Sequence, residues 1–136
     1  MSLRGYEQAN RELATLREQV RKAQRAGEKK VADIIAAEAR QAAPGSLSSG
    51  ITVSQTQEST IIDAGSELAA YAEYGTGDHA AAYLSTQPPE VVEEARKFFV
   101  SGKGRTPPKP FITPAVMRHV NDIVPAVEAE LQKIGK

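Results

Sequence analysis

Apolar residues recur along the first third of the chain at alternating steps of three and four: Leu13, Leu16, Val20, Ala23, Gly27, Val31 and Ile34. That spacing marks one face of an α-helix and predicts a single long helix over residues 7–43, ended by Pro44-Gly45. Glu7–Arg11 and Glu18–Lys22 add favourable i,i+4 pairs. At ~1.5 Å per residue such a helix reaches about 50 Å, more than a globule of this length needs. Its first half holds less apolar mass than its second. Residues 1–25 are therefore expected to project as an arm, fray or pack on a neighbour, with Gly27 as a hinge. A coiled coil is the weaker reading, because the seam has too few large residues. A plain core helix with a solvated first half fits the pattern equally well.

The period then changes. Gly45–Gly50 reads as a serine- and glycine-rich loop. Ile51–Gln57 and Thr60–Ala64 alternate apolar with polar residues around a short break, the pattern of a β-hairpin. Residues 66–74 have a capping serine, three alanines and Gly75 just past the end, which favours a short helix. Leu68, Ala70, Ala72 and Tyr74 also alternate as in a strand. Asp78–Gln87 reads as a polar loop, and Glu90–Val100 as a helix opened by Pro88-Pro89. A last helix is expected from Pro114 to about Ile134, capped by Thr113 and kinked or split near Val124 by Pro125. The order gives one α+β domain spanning 1–136: a long N-terminal helix, a small antiparallel β-sheet formed by the hairpin, a short insert helix and a C-terminal helix.

Two segments are stiffer than the rest. Tyr71-Ala72-Glu73-Tyr74-Gly75-Thr76-Gly77 ends an element in a tight turn. Pro107-Pro108-Lys109-Pro110-Phe111-Ile112-Thr113-Pro114 contains four of the eight prolines, so it is neither a helix interior nor a central strand. Between these corners lies an insert, residues 78–106. Tyr71, Tyr74, Phe98, Phe99 and Phe111 are expected to meet in one aromatic cluster, with Phe111 in the core and Phe98 and Phe99 either core or anchors for a neighbouring subunit.

Composition narrows the function. Aromatic residues make up 5% of the chain and tryptophan is absent, so the core is small and aliphatic, and stability favours burial against partners. With no cysteine, disulfides, thiolate metal sites and cysteine nucleophiles are excluded. No apolar run approaches the ~20 residues that span a bilayer, and the start lacks the apolar region of a signal peptide. Net charge is zero but unevenly spread: +3 over residues 1–45, −6 over 46–100 and +3 over 101–136. Copies placed head to tail could bring basic ends to acidic middles.

Candidate chemistry is sparse. His79 and His119 stand forty residues apart with no third ligand in register, a poor metal site. Gly75-Thr76-Gly77 and Ser101–Thr106 lack the spacing of a phosphate-binding loop. Lys103, Arg105 and Lys109 could touch DNA phosphates, weakly and in a salt-dependent way, though a solvated loop is the commoner role for such residues. No catalytic, cofactor or metal set stands out, and the chain does not read as an enzyme.

The two stiff segments carry a resemblance. Tyr-Ala-x-Tyr-Gly-Thr-Gly at 71–77 followed by Lys-Pro-Phe-Ile-Thr-Pro-Ala at 109–115 and a closing helix resembles the gene-product-ten-like tail components of long-tailed DNA bacteriophages. Ala39 through Ile51, with Ala43-Pro44-Gly45, Leu47 and Ser49-Gly50-Ile51 in it, is similar to a third step of that family, with a shorter run after Pro44. The insert from Glu94 to Arg105 looks like one of its branches. The likeness spans roughly residues 30–135. It implies a non-enzymatic virion assembly protein, a tail-completion or head–tail joining component that acts as a ring. Its partners would be further copies of itself, the phage connector and the tail tube or terminator, with at most transient contact to the DNA backbone and none to a membrane. It would be assembled in the host bacterial cytoplasm and end in the virion tail or neck. On this reading Tyr71, Glu73, Tyr74, Gly75, Thr76, Gly77, Phe98, Phe99, Lys103, Arg105, Pro110, Phe111 and Pro114 are motif or interface residues. Without the resemblance, the alternative is a small dimeric binding or regulatory module that docks a partner through its long N-terminal helix.

Overall fold

The computed structural model describes residues 3–96 and 104–134. Helix α1, Leu3–Ala42, runs unbroken for 40 residues, or about 60 Å at the α-helical rise. A turn of 3₁₀ helix, Gly45–Gly50, leads into an antiparallel hairpin of β1, Thr52–Gln55, and β2, Thr60–Asp63. Three short helices follow: α2, Glu67–Tyr74; α3, Gly77–Leu84; and α4, Pro89–Arg96. The chain closes with α5, Thr113–His119, a 3₁₀ turn at Val120–Asp122, and α6, Ile123–Leu131. The fold is α+β, as the change of hydrophobic period along the sequence implies.

In the hairpin Thr52 faces Asp63, Val53 faces Ile62, Ser54 faces Ile61 and Gln55 faces Thr60. The four-residue connection is tied by Thr56, whose N–H donates to Ser59 O at 2.8 Å and whose hydroxyl accepts from Ser59 N at 3.0 Å. Two strands alone are marginal. Here the hairpin lies on α1: Gln55 Nε2 donates to Arg25 O at 2.8 Å, and Thr60 Oγ1 to Glu28 Oε2 at 3.0 Å. Arg40 donates through Nε and Nη2 to Ile51 O at 3.2 and 2.9 Å.

The core sits where the second half of α1 meets the hairpin, α2 and the closing helices. Its buried members are Val31, Ile35, Ala36, Ala39, Ile51, Ala69, Phe111 and Ala115. Of the predicted stripe Ala23, Gly27 and Val31 are buried and Leu13, Leu16 and Val20 are exposed; beyond Val31 the buried face turns, with Ile35 buried and Ile34 48% exposed. A 3.6-residue period drifts against strict three-and-four spacing, and the hairpin and α5 select the shifted face. Contacts step from Glu38–His119 to Gly27–Val127, so α5 and α6 run back along α1. Gly27 is no hinge. A Cβ there would lie 2.7 Å from the Val127 backbone, so it marks the closest approach of α1 and α6.

A second, smaller cluster joins α2, α3 and α4 through Ala70, Tyr74, Ala80 and Ala95, with Tyr71, Tyr83, Leu84 and Val91 around it. The expected single aromatic cluster is therefore divided: Phe111 is in the first core, Tyr71 and Tyr74 in the second, and Phe98 and Phe99 lie outside the described residues.

Three other expectations are corrected. The Gly45–Gly50 loop is wound into 3₁₀ turns, where Leu47 packs on the core and Ser49 Oγ bonds Ser46 O at 2.9 Å. Most of the polar segment 78–87 is helix α3; alanine is the best helix former, Asp78 suits a first turn, and Ala80 is 1% exposed in the second cluster. The closing helix breaks at Val120–Asp122, ahead of Pro125 rather than at Val124. A proline ring collides with the carbonyl four residues back, here Asn121, so the distortion falls in that turn and Pro125 sits in the first turn of α6.

Candidate functional site

Helix α2 brings the first stiff segment into place. Ser66 takes the N-cap position and accepts from Ala69 N at 3.4 Å. Gly75 ends the helix at φ +78°, with its N–H on Tyr71 O at 2.9 Å. That left-handed backbone already favours glycine, and a Cβ would also lie 2.9 Å from Pro108 N and Thr106 O. The close approach is the junction of the two segments.

Across that junction the backbone hydrogen bonds account for one another. Thr76 N donates to Thr106 O at 2.9 Å, and Thr106 N returns to Thr76 Oγ1 at 2.8 Å. Thr76 occupies the N-cap of α3 but its hydroxyl makes no cap bond there, having accepted from Thr106 instead. Lys109 N donates to Ala72 O at 2.7 Å. Glu73 then takes three donors: Phe111 N at 2.7 Å and Ile112 N at 2.9 Å on Oε2, and Thr113 N at 2.7 Å on Oε1. Every non-proline N–H from Thr106 to Thr113 has an acceptor on the α2–Thr76 side, and Pro107, Pro108 and Pro110 have no N–H to satisfy.

Glu73 is 3% exposed, the one charged side chain buried among the described residues. Burying a carboxylate is expensive unless its charge meets donors. Here it meets them at the N-terminus of α5, where the helix dipole also favours negative charge. The sequence expectation of Thr113 as cap is corrected. Thr113 is the first helical residue, Ile112 precedes it without a side-chain cap bond, and the carboxylate from 40 residues upstream does the capping. Pro114 lies in the first turn, as the sequence suggests.

Around this clamp, burial raises the Tyr74 hydroxyl to about 12, helped by the charges of Glu73 and Glu94. Tyr83 is raised for the same first reason and by Glu73. Neither phenol is poised as an acid or base near neutrality. A groove of about 780 Å³ opens between β2 and α2, with Ile61, Asp63, Glu67, Tyr74, Glu94 and Ile112 among its walls. It is acidic, and β2 has no second strand partner along it among the described residues.

Of the other sequence candidates, Tyr71 and Thr76 are partly buried, Gly75 and Gly77 are buried, and Pro110 and Pro114 are partly buried. Arg105 and Lys109 are exposed, and Lys103 lies outside the described residues. His79 is exposed on α3. Among the described residues no three His, Cys, Asp or Glu side chains converge as metal ligands, and no helix is long and apolar enough to cross a membrane.

One cluster has no signal in the sequence beyond the His119, Asp122 spacing. His119 Nε2 meets Glu38 Oε1 at 2.6 Å and Nδ1 meets Asp122 Oδ2 at 2.9 Å, while Arg118 Nη1 reaches Glu38 Oε2 at 2.9 Å. Both ring nitrogens face carboxylate acceptors, and only the imidazolium donates from both. These hydrogen bonds, Glu38 first, raise the His119 pKa above its ordinary 6.5. Glu38 is correspondingly lowered from 4.5 by His119. A raised histidine stabilises the fold fully below its unfolded pKa and loses that contribution as pH rises through the folded value; a lowered carboxylate acts above its unfolded pKa and fails as pH falls. The pin is therefore strongest from about pH 4.5 to 6.5. In urea titrations, His119→Asn is expected to lower the midpoint near pH 6 and to differ less from wild type near pH 9. Equal deficits at both would remove the charge from the account.

No family model matches the chain, and no curated protein or solved structure is significantly similar to it.

Proposed function

We propose that this chain is a non-enzymatic assembly protein, a phage tail-completion or head–tail joining component whose copies close into a ring. The observation that carries the reading is the Glu73 clamp. The two segments that resemble the phage family form a single hydrogen-bonded unit, and its one buried carboxylate is occupied by three backbone donors. A carboxylate engaged by three backbone N–H groups fixes a frame. The open edge of β2 and the acidic groove beside it suit a neighbour's strand or basic segment. The connector and the tail tube or terminator would bind the two faces of the ring. Exposed Arg105 and Lys109 would supply only passing contact to the DNA backbone. The location is the virion tail or neck, after assembly in the host cytoplasm.

A second reading, a dimeric docking module, draws on the exposed first half of α1. Native mass spectrometry across a concentration series separates the two. The ring reading expects closed species larger than a dimer at high concentration, and a strict monomer or dimer throughout overturns it.

A further inference from the structure

The first five turns of α1 leave an apolar stripe uncovered. From Arg4 to Lys22 every residue is exposed except the partly buried Gly5 and Ala9. Tyr6 is 55% exposed, Leu13 50%, Leu16 47% and Val20 40%. With Ala9 these residues fall at steps of three, four, three and four, the a and d positions of a heptad. The stripe continues into Ala23 and Gly27, where the chain's own α6 covers the same face. Among the described residues no helix covers the seam up to Lys22 as α6 does beyond it.

We infer that this seam is covered by the arm of a second copy, paired in parallel and in register over residues 6–20. The flanking charges select both the occupant and the direction. With Tyr6, Leu13 and Val20 at a, Glu12 falls at g and Arg17 at the following e. In a parallel two-stranded pair each g residue faces the partner's next e residue, so Glu12 meets the partner's Arg17 twice, by symmetry. In the antiparallel arrangement that seats Leu13 on Leu16, Glu12 meets Gln19 and Arg17 meets Asn10, and neither ion pair forms. Val20 at a beside Leu16 at d also suits two strands; Tyr6 and Leu13 at a and Ala9 at d add no such preference. The seam is short and has Ala9 in it, so the pair is weak and reversible. The pairing requires only the arm, and stands or falls separately from the ring.

The absence of cysteine makes a direct test available. Full-length Ala9→Cys and Val20→Cys place single thiols on the seam, and Arg11→Cys places one on the outer face. Under mild oxidation each seam variant is expected to form covalent dimers with itself, at several times the yield of Arg11→Cys. Glu12→Arg is expected to lower the Val20→Cys yield about threefold to tenfold, and adding Arg17→Glu to restore it. Seam yields no higher than the outer-face control overturn the inference. So does cross-linking confined to a mixture of Ala9→Cys with Val20→Cys, the antiparallel signature. Failure here with rings still seen by native mass spectrometry leaves the assembly reading intact; arm cross-linking in a protein that never exceeds a dimer does the reverse.

Discussion

Replacing Glu73 with alanine is expected to destabilise the fold by about 3 kcal/mol or more, since it strands backbone donors at a buried helix start and each such group costs roughly 1–3 kcal/mol. Phe111 N lies in the core and cannot turn to water, while Ile112 N and Thr113 N are partly shielded. For a chain of this size the melting temperature should fall by about 10 °C or more. Glu73→Gln tests the charge separately. It keeps one acceptor oxygen but turns an amide N–H₂ toward a backbone N–H, so most of the loss should remain. The check is urea or thermal unfolding followed by circular dichroism. A variant within about 0.5 kcal/mol of wild type, the range of an ordinary surface substitution, would show that the two corners do not depend on the carboxylate. Because the clamp starts α5, the same variant should loosen α5 first, which amide exchange at Ala115–His119 would report.

The second large effect is expected at Gly27. Alanine for glycine inside a helix ordinarily gains up to about 1 kcal/mol. At Gly27 the new methyl would stand 2.7 Å from both Cα and N of Val127. Backbone atoms cannot swing aside as a side-chain tip can, so α1 and α6 must separate. Overpacking of this kind costs typically 1–3 kcal/mol, which outweighs the propensity gain. Gly27→Ala is therefore expected to be destabilising despite its better helix propensity, and Gly27→Val more so. Separation also draws Lys30 away from Glu130, now 2.6 Å apart. A stabilised Gly27→Ala protein in chemical denaturation would mean that α6 does not pack here as described.

Both effects arise at places that local pattern could not reach. The long helix and the hairpin are legible because each is written in neighbouring residues, a 3.6 period and a 2 period; over 67–74 the serine cap and terminal glycine favour the helix, but the alternation of Leu68, Ala70, Ala72 and Tyr74 leaves a strand open until the fold is known. Phe111 as core is legible for the same reason, since one large apolar residue beside rigid prolines has little else to do. Glu73 was visible as part of a motif, but its partners were not. A carboxylate that caps a helix forty residues downstream leaves no spacing rule, and the local candidate, Thr113, satisfied every local criterion. Gly27 misled in the same way: glycine in a helix suggests flexibility until the element crossing it is known. The pin from Glu38 to His119 spans 81 positions and had no trace.

By itself the sequence determined the long helix, the hairpin, the α+β class and the two stiff segments, because propensity, period and proline act over a few residues. Tertiary structure alone decided which carboxylate is buried and what it holds. It also decided where α6 covers the apolar seam of α1 and where that seam stays exposed, and how the aromatic residues divide between two clusters. Those outcomes depend on which surfaces exclude water from each other, and that is fixed only when distant segments meet.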